Sequence, residues 1–240
     1  MNDGTTKTLE VQNLSAYWGT ARAVEDVSFS VGSSEGIALL GRNGMGKSTT
    51  LRSLLGVGPR VEGGILMDGK DITGMASHRR ARAGMSLVFE DRKVLPHITV
   101  EENIRMGQRA ASGRTAPTVD EVYGGFPLLA DLRNRIAGNL SGGEQQMLVL
   151  ARAVTSAPRV LLLDEPVEGL APVVVEQLVE AIRWVRTNLD LALVVAEHKL
   201  WFTRQCTERV LVLVDGSVEF EGTWEDFDSD TRVEGFLTVA

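Results

Sequence analysis

Gly41-Arg42-Asn43-Gly44-Met45-Gly46-Lys47-Ser48, with Thr49 after it, fits the spacing G-x-x-x-x-G-K-[ST]. The apolar run Ile37-Ala38-Leu39-Leu40 precedes it, and Thr49 to Leu55, closed by Gly56, follows it. The order is therefore strand, loop, helix. Such a loop lets successive backbone N–H groups turn inward around a polyphosphate, while the helix N-terminus adds partial positive charge. Lys47 is then expected on the β- and γ-phosphates, and the Ser48 hydroxyl on Mg²⁺.

Working outward toward the N-terminus, Leu9-Glu10-Val11-Gln12 and Ala23 to Val31 alternate as short strands. Between them, Ala16-Tyr17-Trp18-Gly19 reads as an aromatic pair in a loop, either core filling or a ligand platform. Gly63 to Ile72 reads as a hairpin turning at Asp68-Gly69. These strands predict a small antiparallel sheet around the phosphate-loop element. Met85 to Phe89 reads as a buried strand ending at Glu90-Asp91-Arg92, where a polar side chain can face the site.

Beyond it the texture is helical. Thr99 with Glu102 and Thr118 with Glu121 are capping-box pairs, so about 93–156 is expected to be an inserted helical subdomain of a single domain spanning 1–240, with Ala110 to Pro117 a flexible connection. Leu140-Ser141-Gly142-Gly143-Glu144-Gln145-Gln146 caps a further helix. Its two glycines also leave the first turn bare to an approaching phosphate. Val160 to Leu163 runs apolar into Asp164-Glu165. A buried strand explains the leucines, but paired acids at its end need a cation or proton to offset them. Asp164 suits Mg²⁺, and Glu165 suits a general base toward water. Pro172 to about Arg186 is an amphipathic core helix. Leu191 to Ala196 is a buried strand ending at Glu197-His198. It is the third strand end, after Gly41 and Asp164, to bring polar groups to one edge of an open α/β sheet. Val210 to Phe220 closes as a hairpin through Asp215-Gly216, and Glu225 to Asp230 reads as solvated acidic surface.

At 240 residues the chain can bury a substantial core. Its net charge of −7 argues against nucleic acid as the main partner. No apolar run reaches bilayer-spanning length, and the polar start Met1 to Lys7 is no signal peptide, so a cytoplasmic location is expected. The single cysteine, Cys206, reads as a small buried hydrophobe. His78 and His97 lack metal-ligand spacing.

The order of these motifs resembles that of ATP-binding cassette proteins over essentially the whole chain. The resemblance implies an α/β P-loop NTPase (RecA-like) core with an antiparallel β subdomain and an inserted helical subdomain. It implies ATP and Mg²⁺ as cofactors. Trp18 falls where the family stacks adenine, with Tyr17 the fallback; Glu90 falls at the Q-loop; Ser141, Gly142, Gly143 and Glu144 form the signature; Asp164 ends Walker B; Glu165 is the catalytic carboxylate; His198 is the switch histidine. Within the family the chain is similar to the LivF-type ATPase of branched-chain amino acid importers, on His78 to Gly84, Glu90-Asp91-Arg92, Leu140 to Met147 and Glu168-Gly169-Leu170-Ala171-Pro172. The implied partners are polytopic membrane permease subunits, a second cassette ATPase and, indirectly, a solute-binding protein, with the chain peripheral on the inner face of the cell membrane. Glu90 stands where glutamine is usual, and is expected to raise the Mg²⁺ requirement and slow hydrolysis. Ala171 replaces the D-loop aspartate, which leaves that residue's cross-dimer contact open. The competing class is a soluble cassette ATPase gripping a macromolecule. A P-loop kinase or GTPase is disfavoured by the absence of N-K-x-D and by the position of the signature.

Overall fold

Alternation forms the first two strands. In β1 (Lys7–Trp18) and β2 (Ala21–Gly32), Leu9, Val11, Leu14, Val24, Val27, Phe29 and Val31 are buried while the residues between them are partly or fully exposed. The structure is a computed structural model that describes residues 7–237; the polar start before Lys7 lies outside them. The aromatic pair read as a loop is strand: Tyr17 and Trp18 end β1, paired with Arg22 and Ala21 across the turn at Gly19-Thr20. The cross-strand ladder runs right to the turn, which the sequence pattern of the pair does not disclose.

Next come β3 (Gly36–Leu40), α1 (Lys47–Leu55), β4 (Arg60–Met67), β5 (Lys70–Asp71), α2 (Ser77–Ala83) and β6 (Met85–Val88). Asp68 and Gly69 both take positive φ, 49° and 72°, the conformation of a type I′ turn joining β4 to β5. The middle of the chain carries α3 (Val100–Arg109), α4 (Val119–Gly125), α5 (Pro127–Asp131) and α6 (Gly142–Val154). Thr99, Thr118 and Ser141 each close a reciprocal capping box with Glu102, Glu121 and Glu144. The connection read as flexible is anchored: the Arg114 guanidinium donates to the carbonyls of Ala157, at 2.7 Å, Ser156, at 2.9 Å, and Arg82. Then follow β7 (Val160–Asp164), α7 (Pro172–Asn188), β8 (Ala192–Ala196), α8 (Leu200–Cys206), β9 (Arg209–Val214), β10 (Ser217–Thr223), α9 (Trp224–Ser229) and α10 (Val233–Leu237). The segment Glu225 to Asp230 is thus not only acidic surface. It forms α9, capped by Thr223 and Asp226, because Phe227 is buried between Phe220 and Trp224. Cys206 is buried, and burial pushes its thiol up to about 12.

Two sheets result. The antiparallel one has order β2-β1-β4-β5; the other has order β10-β9-β3-β8-β7-β6, with β9, β3, β8, β7 and β6 all parallel. Side chains of β7 and β8 alternate between two cores. Leu161, Leu163, Leu193 and Val195 join the helical side with Phe126 and Met147, whereas Val160, Leu162, Ala192 and Val194 join the side of α1 and the antiparallel sheet. The parallel order puts the C-terminal ends of β3, β8, β7 and β6 side by side on one edge.

The C-terminal end of α1 is tied down by Arg80, which is 3% exposed. Its guanidinium donates to the carbonyls of Ser53 at 2.8 Å, Leu54 at 2.7 Å, Met75 at 3.0 Å and Thr73 at 2.6 Å. Arg80→Met keeps the apolar stem but strands buried carbonyls. It is expected to lower unfolding stability by about 3 kcal/mol, measured by urea titration. An unchanged midpoint would mean that water replaces the guanidinium.

Candidate active site

The loop between β3 and α1 turns on glycine. Gly44 and Gly46 have φ of 87° and 97°, and a Cβ on Gly46 would lie 2.7 Å from the Ala23 carbonyl oxygen. Gly46 caps α1 without any side-chain hydrogen bond, and no acid occupies the first turn, so the helix N-terminus faces a cavity of about 260 Å³. Asn43, Gly44, Gly46, Lys47, Ser48, Thr49, Glu90 and Glu165 line it. Met45 instead turns its sulfur to the backbone N–H of Asp215, at 3.1 Å, and the Arg42 side chain is exposed. Gly41 is held at the end of β3, where a Cβ would lie 2.6 Å from the Leu213 carbonyl oxygen.

Lys47 is 3% exposed. Its ammonium donates to the carbonyls of Gly41, at 2.8 Å, and Arg42, at 3.2 Å, and lies 3.4 Å from Glu165 Oε1. The Ser48 hydroxyl donates to Asp164 Oδ1 at 2.7 Å. Asp164 is 1% exposed, and among the described residues its Oδ2 has no hydrogen-bond partner. Burial holds its carboxyl above the usual carboxylate range; the Ser48 hydrogen bond and Arg52 oppose this, while Glu165 and Glu90 add to it. A buried carboxylate oxygen without a partner, beside a serine hydroxyl and two further carboxylates, is a donor set of hard oxygens that fits Mg²⁺.

His198 follows β8. Its Nδ1 lies 3.5 Å from Glu197 Oε2 and 3.9 Å from Glu165 Oε2, and its Nε2 lies 3.8 Å from Glu168 Oε2. The loop is fixed by the fully buried Glu197, whose Oε2 accepts the backbone N–H groups of His198 and Lys199 at 2.6 and 2.9 Å. The strand order therefore brings Lys47, Ser48, Asp164, Glu165 and His198 together, with Glu90 on the cavity wall. Trp18 stands beside them: its indole N–H donates to Thr49 Oγ1 at 3.3 Å, and its ring packs so closely on Gly58 that a Cβ there would lie 2.5 Å away. Tyr17 is engaged elsewhere, its hydroxyl on Glu62 and its ring under Arg60, 4.3 Å from the centroid.

The signature residues do not line this cavity. Ser141 caps α6 by accepting the Glu144 N–H at 3.3 Å, and Glu144 accepts the Ser141 N–H at 2.6 Å. Gly142 packs under Arg92 and Gly143 against Val174. Sequence reading left Arg92, Glu168 and Lys199 without roles. Their neighbours in the motifs were the available signal, but their contacts are tertiary.

A family model described as ABC transporter matches residues 24–168. The high-affinity branched-chain amino acid transport ATP-binding protein BraG of Pseudomonas aeruginosa is 36% identical over 90% of this chain and 92% of its own. The lipopolysaccharide export system ATP-binding protein LptB of Haemophilus influenzae is 30% identical over 94% of this chain and 95% of its own. A crystal structure of an ATP-binding cassette of an ABC transporter in its ADP conformation superposes with a TM-score of 0.82, at 24% identity, over 97% of this chain and 98% of that one. The fold is thus the cassette fold.

Proposed function

The chain belongs to the ABC transporter family, and from that premise we propose that it is the ATP-hydrolysing subunit of an importer for branched-chain amino acids or similar small polar solutes. That it is an ABC ATPase subunit coupling ATP hydrolysis to transport follows from the family. Among the described residues no helix is long and apolar enough to cross a membrane; the transport path is assigned to separate membrane-spanning subunits, with this chain peripheral to them on the inner face of the membrane.

The observation that carries the mechanism is the convergence of Lys47, Ser48, Asp164 and Glu165 on one sheet edge. The bare N-terminus of α1 and the Lys47 ammonium take the phosphates of ATP, with the adenine on Trp18. Mg²⁺ held by Ser48 and Asp164, with Glu90 alongside, would neutralise phosphate charge. Glu165 takes the proton of the attacking water, and His198 meets the γ-phosphate from the neighbouring strand end. Residues 93–156 are assigned as the subdomain presenting Ser141 to Glu144. Because those residues lie off the cavity of their own chain, they serve the ATP of a second cassette, and two subunits pair head to tail.

One further surface supports a membrane partner. A groove of about 960 Å³ between α2 and β6 on one side and α3 and α6 on the other exposes Leu95 and Met106 among Arg82, Lys93, Arg109 and Arg152. Exposed apolar side chains ringed by cations suit an amphipathic segment of another chain.

Affinity capture of the tagged chain from detergent-solubilised host membranes tests the reading. Polytopic subunits and a second cassette are expected to co-purify, and disruption of the gene is expected to abolish high-affinity leucine uptake. Co-purification with lipopolysaccharide export components would replace importer by exporter, and capture with a soluble macromolecule would remove the transport assignment.

Glu90 gives a separate test. A third carboxylate at the cavity repels ATP until Mg²⁺ offsets it, so Glu90→Gln is expected to lower the Mg²⁺ concentration for half-maximal hydrolysis and raise kcat by about threefold. Identical Mg²⁺ titrations of the two proteins would remove this role.

A further inference from the structure

Glu165 has a backbone φ of 44°, a left-handed conformation that a glutamate holds only where its surroundings over-determine it. Part of that hold is local: its N–H donates to the Ala196 carbonyl at 2.9 Å, and the Glu168 N–H donates back to the Glu165 carbonyl at 3.2 Å. The rest comes from two cations that grip the chain just beyond. Lys199 Nζ donates to the Val167 carbonyl at 3.1 Å and lies 3.4 Å from Glu168 Oε2. Arg92 Nη2 in turn donates to the Glu168 carbonyl oxygen.

Arg92 is the more informative of the two. It stands two residues past Glu90, on the loop that walls the cavity. Its neighbour Lys93 pairs with Asp91 at 2.9 Å, whereas the guanidinium of Arg92 goes to main chain. Its other arm rests on the first turn of α6, where a Cβ on Gly142 would lie 2.5 Å from Nη1. A cation at the positive end of a helix is electrostatically unfavourable, so the dipole does not account for its place; the Glu168 carbonyl does. One side chain therefore touches the turn that follows Glu165 and the helix that carries the signature, from a base beside Glu90.

We propose that Arg92 is a positioning residue for hydrolysis. It fixes the Glu165–Glu168 turn, and through Gly142 it ties the aim of the Glu165 carboxylate to the seating of α6. The proposal rests on Glu165 being the general base.

In the full chain, Arg92→Ala is expected to lower kcat at least tenfold while the KM for ATP stays within twofold, since displacement of a catalytic group by a fraction of an ångström acts on the transition state. Amide exchange over 165–169 is expected to accelerate with the melting temperature unchanged. Arg92→Lys, which keeps a cation on a shorter side chain, is expected to recover most of the rate and protection; if the alanine variant does not fold, Arg92→Gln takes its place, with the same losses in kcat and in protection at 165–169 expected of it. A kcat within twofold of the unsubstituted protein, a rise in KM matching the fall in kcat, or unchanged exchange over 165–169 would each overturn the proposal. Glu165→Gln run in parallel separates the two levels. If that variant still turns over ATP, the general-base reading falls. If it is inactive while Arg92→Ala is not, only the positioning role falls.

Discussion

Glu165→Gln is expected to lower kcat by about 10³-fold while leaving a protein that pairs in MgATP and separates in MgADP. The glutamine keeps the volume and a hydrogen-bonding oxygen but cannot take a proton from water. It also removes one negative charge from a site that already holds Asp164 and Glu90, with Glu168 and Glu197 near His198, so nucleotide affinity rises rather than falls. Light scattering behind size exclusion, with and without MgATP, reads the pairing, and a phosphate-release assay reads turnover. Steady hydrolysis within tenfold of the unsubstituted rate would refute the assignment of Glu165.

The second large effect is expected at Lys47. Lys47→Ala removes an ammonium that lines the cavity and leaves Glu90 and Glu165 facing an incoming tetra-anion. A charge-assisted hydrogen bond to phosphate contributes about 1.5–3 kcal/mol, so ATP affinity is expected to fall about 100-fold, measured by calorimetry or by displacement of a fluorescent ATP analogue. The Gly41 and Arg42 carbonyls also lose their partner, so the melting temperature is read alongside. A Kd within threefold of the unsubstituted value would mean that the backbone N–H groups alone hold the phosphates. The contrast is the informative part: one variant binds without turning over, and the other fails to bind.

The sheet edge was legible because its signals are local. Glycine at 41, 44 and 46, the apolar run before them and the acids closing Val160 to Leu163 each state a conformation or a charge that neighbouring residues alone make meaningful. The capping boxes at Thr99, Thr118 and Ser141 were legible for the same reason. Trp18 was misplaced into a loop because its strand is defined by partners in β2 and β4. The helix at Trp224–Ser229 was hidden because five acidic and aromatic residues ending in a serine declare a helix only when Phe227 finds Phe220 across the fold. Arg92 lies within a motif and Lys199 directly follows one, yet their bonds reach 76 and 32 residues along the chain, beyond any local pattern.

The alternation of β7 and β8 between two cores has a consequence for heredity. Leu161 and Leu162 are neighbours in the chain and equally buried, but one is answerable to the helices and the other to the nucleotide-bearing half. Adjacent codons in this strand therefore answer to different companions. A compensating change for damage at Leu161 is to be sought among residues such as Met147 and Phe126, and for damage at Leu162 among those of α1 and the antiparallel sheet.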